Sequence, residues 1–132
     1  MSVERLDHVN IVTDDLAASA RFFADALGLK ICDPPAPLTP DQAQWMQNDQ
    51  GVYVLHLNSA DCPRAFDRPM PKGNTGPIHH VALKCTDYDG IATRIQALGV
   101  EVQTNYIPSI GLRQIFFHEP NGVLLELNFF EG

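Results

Sequence analysis

The stretch Asp7-His8-Val9-Asn10-Ile11 comes back later in the chain as His79-His80-Val81-Ala82-Leu83. Each copy leads into a helix-like segment that ends in Leu-Gly, Leu27-Gly28 in the first case and Leu98-Gly99 in the second. A histidine heading a buried apolar run is costly unless something uses it. Its recurrence in register marks an internal duplication whose period is too long for a solenoid repeat. With 132 residues the chain has room for one domain, or for two small modules sharing one core.

Residues 5–13 alternate, with Leu6, His8, Asn10 and Val12 on one face and Asp7, Val9 and Ile11 on the other. Thr13-Asp14-Asp15 offers an N-cap, and residues 16–27 carry a helical stripe of Leu16, Ala20, Phe23 and Leu27. Gly28 suits the left-handed residue that ends such a helix. A short strand is expected over 29–32. In residues 33–50, Pro34, Pro35, Pro37 and Pro40 argue against a regular strand, and Thr39-Pro40-Asp41 predicts a helical turn carrying Trp45 and Met46. After the Asn48-Asp49-Gln50-Gly51 turn, residues 52–58 read as a strand with Val54, His56 and Asn58 on one face and Leu55 and Leu57 on the other.

Residues 59–77 hold four prolines and read as a linker or ordered arm between the modules 1–58 and 78–132. The second module opens with a strand over 78–85. A helix of about ten residues capped by Asp87 or Asp89 follows, with Ile91, Ile95 and Leu98 as its stripe. A strand over 100–103, a loop over 105–111 and a strand over 112–118 come next. Glu119-Pro120-Asn121-Gly122 is a strong hairpin turn before a last strand over 123–129. A type I turn with a Gly122 bulge sets Phe116 opposite Glu126 and Gln114 opposite Asn128, whereas an unbulged turn would put Ile115 and Arg113 there. The Pro-Asn-Gly sequence favours the bulge. The expected class is α+β, two βαβββ modules forming a concave mixed sheet with helices on its outer face.

Four strands then carry a ligating side chain: His8, His56, His80 and Glu126. The separation of His56 from His8 nearly equals that of Glu126 from His80. Parity places each opposite an apolar face, and three have asparagine two residues on, Asn10, Asn58 and Asn128. Imidazole and carboxylate on one polar face suit a divalent ion such as Zn, Ni, Fe, Co or Mn. Asn10, Asn58, Gln114, Phe116 and Asn128 are the candidate substrate contacts beside it. Trp45, Arg64, Tyr106 and Arg113 are weaker candidates, because no spacing places them. Parity turns Asp7 and His79 away from the site, and His118 lies at the hairpin end.

The paired modules, the two histidines, and the closing run from Phe117 to Leu127 resemble the vicinal oxygen chelate superfamily. That group holds glyoxalase I, methylmalonyl-CoA epimerase, fosfomycin-resistance transferases, extradiol dioxygenases and bleomycin-binding proteins. The resemblance implies metal ligands at His8, His56, His80 and Glu126. Glyoxalase I and the epimerases fill all four places, though with Glu or Gln where this chain has His56. Dioxygenases and fosfomycin enzymes use a set matching His8, His80 and Glu126 alone. The implied chemistry is a divalent-metal-dependent lyase or isomerase step on a small oxygen-chelating substrate through an enediolate-like intermediate. Glu126, and His56 as its opposite number, would move the proton. The rivals are an iron-dependent extradiol-type dioxygenase and a non-catalytic drug-binding protein. Small members of the group commonly act as homodimers.

The net charge of −7 argues against nucleic acid or an anionic membrane as partner. No apolar run approaches the ~18 residues of a membrane span, and no secretion signal is legible, so a cytoplasmic location is expected. Cys32, Cys62 and Cys85 are widely spaced and odd in number, which speaks against a disulfide framework or thiolate zinc site.

Overall fold

The computed structural model describes residues 2–70 and 73–131, which divide into two compact units, Met1–Met70 and Pro71–Gly132. In the first unit β1 (Val9–Thr13), α1 (Leu16–Leu27), β2 (Lys30–Cys32), β3 (Ala43–Gln47) and β4 (Tyr53–Ser59) follow in order. Their sheet runs β1-β4-β3-β2, with β1 parallel to β4 and the other pairs antiparallel. The second unit repeats it with β5 (Val81–Lys84), α2 (Tyr88–Ala97), β6 (Gln103–Ile107), β7 (Leu112–His118) and β8 (Leu124–Phe130), ordered β5-β8-β7-β6. Each unit is therefore a βαβββ module with a four-stranded mixed sheet, and the fold is α+β. Among the described residues no helix is long and apolar enough to cross a membrane.

Helix α1 begins where Asp15 accepts a hydrogen bond from the Ala18 amide, and it ends at Gly28 in the left-handed conformation (φ 70°). It lies against β2, β3 and β4. Its buried residues are Ser19, Ala20, Phe23 and Ala26, so the stripe is rotated from the expected one and leaves Leu16 and Leu27 half-buried. Ser19 can turn inward because its hydroxyl meets that of Thr13 at 2.8 Å. Ile11, Met46, Leu55 and Leu57 complete this core, all at most 4% exposed. In α2 the Asp87 carboxylate accepts from the Gly90 amide. Ile91 and Ile95 are buried, but Leu98 is the capping residue and is exposed.

Two segments differ from expectation. The prolines of 33–50 all precede Asp41, so Ala43–Gln47 is free to pair and forms β3 instead of a helical turn. Burial of Ala43 and Met46 fixes its face. In the second unit the strand is Gln103–Ile107, which starts at the last residue of the expected strand over 100–103 and runs into the expected loop. It is an edge strand whose first four residues are exposed, so it shows no alternation to read. Pro108 begins the short 3-10 turn that ends it.

The β7–β8 hairpin sets the position of Glu126. The Gly122 amide donates to the Glu119 carbonyl at 2.9 Å and the Glu119 amide to the Val123 carbonyl at 3.0 Å. The Glu119 carboxylate, 2% exposed, accepts from the backbone amides of Asn121 and Val123, both at 3.0 Å. Gly122 takes φ 92°, and a Cβ there would come within 2.6 Å of the Gly73 Cα. The resulting register pairs Phe116 with Glu126 and Gln114 with Asn128, as the bulged turn requires.

Candidate functional site

Strands β1 and β5 begin later than expected, at Val9 and Val81 instead of residues 5 and 78, so His8 and His80 each stand immediately before a strand. Parity does not govern their neighbours. Asp7 turns to His8, with its Oδ2 2.6 Å from the His8 Nδ1. His79 turns to His80, with Nδ1 to Nδ1 at 3.0 Å. Both were expected to point away. In each copy the residue before the histidine engages Nδ1 and orients the ring, leaving Nε2 outside that contact. The ladder confirms the equivalence of the partners. Asn10, two residues after His8, pairs with His56, and Ala82, two after His80, pairs with Glu126.

In the first unit the His8 ring stacks on His56 (centroids 3.7 Å apart, planes 13°), and His56 stacks on Trp45 (3.9 Å, 6°). Trp45 reaches that place because β3 pairs it directly with His56. Burial, then the nearby His8, pushes the His56 pKa down to about 4, with Asp7 pulling the other way. His56 is thus neutral at pH 7, with a lone pair available to a metal. The hydrogen bond from His8 chiefly holds the Asp7 carboxyl below its ordinary range. On the same face the Asn10 amide donates to the Asn58 carbonyl oxygen at 3.1 Å.

In the second unit the His80 Nε2 lies 3.5 Å from the Glu126 Oε1. The other carboxylate oxygen is taken. Asn128 Nδ2 donates to Glu126 Oε2 at 2.9 Å, Gln114 Nε2 to Asn128 Oδ1 at 3.0 Å, and Asn105 Nδ2 to Gln114 Oε1 at 2.8 Å. This line of amides runs across β6, β7 and β8 with every dipole pointing the same way, towards the carboxylate. Gln114, 7% exposed, is its buried link. Asn105 has no counterpart among the sequence candidates, since it sits on the strand that alternation missed. Replacing Gln114 by leucine would leave Asn128 free to turn from Glu126. We expect about 10- to 100-fold weaker zinc binding by chelator competition, with the fold retained by circular dichroism.

Phe116 is half-buried opposite Glu126, which leaves it available to a ligand. Arg113 is committed elsewhere, its guanidinium 3.5 Å from the Tyr88 ring centroid. Tyr106 donates to Glu131 Oε2 at 3.3 Å. His118 is exposed at the end of β7. The cysteines are free; burial raises Cys62, and raises Cys85 to about 11, so neither is a thiolate at neutral pH.

Among the described residues no group of three or more His, Cys, Asp and Glu side chains gathers around one point. Each unit gathers two. The His80 and Glu126 pair nevertheless fits a divalent ion, whereas the stacked His8 and His56 rings do not aim their nitrogens at one point. Two ligands about 2.1 Å from a tetrahedral ion stand roughly 3.4 Å apart, close to the His80–Glu126 separation of 3.5 Å. The oriented Nδ1 atoms and the neutral His56 agree with that chemistry.

A family model described as the Glyoxalase/Bleomycin resistance protein/Dioxygenase superfamily matches residues 5–127. The chain belongs to this superfamily. Among vicinal oxygen chelate relatives, an ethylmalonyl-CoA/methylmalonyl-CoA epimerase of Cereibacter sphaeroides is 26% identical over 140 residues, covering 95% of this chain and 97% of that protein. Glyoxylase I 4 of Arabidopsis thaliana is 23% identical over 124 residues, covering 92% of this chain and 68% of that one. A glyoxalase/dioxygenase from Nostoc punctiforme has the same fold, with a TM-score of 0.75 at 20% identity, covering 98% of this chain and 92% of that one.

Proposed function

We propose that this chain is a divalent-metal-dependent lyase or isomerase of the glyoxalase I or epimerase type, acting on a small substrate that chelates through two oxygens. The observation that carries the reading is the convergence of His80 Nε2 and Glu126 Oε1, with Glu126 Oε2 held by Asn128. His8, His56, His80 and Glu126 would hold the ion, as two pairs from one chain or from two copies of it. When bound, such an ion stabilises the oxyanion that forms as an adjacent C–H loses its proton. Glu126 is the base in this scheme. The amide line fixes one of its oxygens and leaves the other to take and return the proton. His56 is a neutral base candidate on the opposite pair. The names of the epimerase and glyoxylase relatives support the same class.

Titration of the metal-free full-length chain with cobalt(II), followed by visible absorption, tests the ligand set. The expected result is one ion per four-donor set, with at least about 100-fold weaker binding in His80→Ala. In His56→Ala the d–d spectrum should change, which a three-ligand set would not require. Absence of stoichiometric binding would overturn the proposal. Oxygen uptake with catechol by the iron-loaded protein would move it to the dioxygenases.

A further inference from the structure

A cavity of about 330 Å³ opens in the first unit beside Asn10 and Val12. Its outer wall is the arm that follows β4, carrying Arg64, Phe66, Asp67, Arg68 and Met70. The arm is built, not loose. Arg64 donates to the carbonyls of Ser59 (3.2 Å) and Ala60 (3.1 Å), and through Nε and Nη2 to the two oxygens of Asp67 (3.1 and 3.3 Å). The Arg68 amide also donates to Asp67, at 2.9 Å. Hydrogen bonding from Arg64, then from Arg68, holds the Asp67 carboxyl below its usual range.

The charges sort themselves accordingly. Arg64 and Asp67 cancel and serve the arm, which leaves the Arg68 guanidinium with no side-chain partner among the described residues. Beside it Phe66 is 87% exposed and Met70 45% exposed. Such a combination lacks a purpose in the unit itself: apolar side chains held out in water, a spare cation, and an amide floor at Asn10. Arg presents a fork that matches a carboxylate, and aromatic surface next to it suits an apolar body. The cavity also shares its sheet face with His56, since Asn10 pairs with His56 across β1 and β4.

We propose that this cavity is a recognition subsite for the far end of the substrate, taking a carboxylate at Arg68 with an apolar body against Phe66 and Met70. The inference rests on the metal-site reading for what the substrate's other end does, but the subsite needs no metal. It narrows the substrate class to an amphipathic acid with two functional ends, a chelating pair of oxygens and a remote carboxylate.

The test uses the metal-free full-length chain and two probes of nearly equal shape, phenylacetate and its neutral amide phenylacetamide. Binding is followed by two-dimensional NMR. The expected result is about tenfold tighter binding of phenylacetate, with shifts at Asn10, Phe66 and Arg68. Arg68→Gln should erase the preference while leaving phenylacetamide binding unchanged, and Phe66→Ala should weaken both. Both side chains are exposed, so neither variant threatens the fold. Equal binding of the two probes, or a preference that survives Arg68→Gln, would overturn the subsite. Cobalt(II) titration of the same variants separates the two proposals. Unchanged cobalt binding alongside a failed probe experiment leaves the metal reading standing and removes only the subsite.

Discussion

Glu126→Gln is expected to lower turnover by about a thousandfold on any substrate the wild-type protein converts, while a divalent ion still binds. The substitution keeps the shape of the side chain and its hydrogen bond with Asn128, whose Nδ2 lies 2.9 Å from Oε2. What it removes is the ability to accept a proton at the other oxygen. Steady-state kinetics together with metal content of the same sample make the measurement. Turnover loss with retained metal assigns Glu126 the proton transfer, and loss of both makes it a ligand first. Full turnover with metal still bound would sink the assignment. Solvent deuterium entering the substrate at the carbon next to its carbonyl, and failing to enter in the variant, would tie the loss to the C–H step.

The second large effect is on stability. Phe23 is wholly buried, the largest side chain on the inner face of α1, with small residues Ala20 and Ala26 on either side along the helix. Phe23→Ala leaves a hole that these alanines cannot fill, and the rigid strands beneath cannot rise to close it. Unfolding free energy should fall by about 3–5 kcal/mol, read as a lower urea midpoint at unchanged slope. A loss below about 1 kcal/mol would mean that Phe23 is not the centre of this core. The same variant serves as a control for Glu126→Gln. It should lower stability at room temperature without selectively altering the metal stoichiometry of the molecules that remain folded.

Much of the architecture could be read from residues because local chemistry and long-range packing agree there. The helix over Leu16–Leu27 has its cap, its stop glycine and an apolar face, and the hairpin at Glu119–Gly122 has residues that favour one register over the other. That register places Gln114 and Phe116 beside Asn128 and Glu126. Strand β3 was hidden by prolines that belong to the preceding segment, and β6 by an edge position where no face needs to be apolar. The duplicated pattern isolates four donors from ordinary strand histidines, and the structure brings them together as two pairs, one in each unit. Their supporting residues were not legible. Asp7 and His79 act just outside the strands, where alternation has no force. Trp45 and Asn105 sit on the two strands that the pattern missed.

The starting points of β1 and β5 have a mechanical consequence. His56 and Glu126 project from within hydrogen-bonded ladders, so their backbone is clamped on both sides. His8 and His80 hang from the chain just ahead of the first paired residue, steered by a neighbour at Nδ1 and by the facing side chain, His56 or Glu126. In the proposed metal site each unit would therefore work like a calliper with one fixed jaw and one sliding jaw. Such a device adjusts its opening to the radius of the ion it grips, while the number of jaws stays the same. Exchange among ions of similar coordination but different size should cost this protein little, because the adjustment falls on two short, unpaired stretches of chain and not on the sheets.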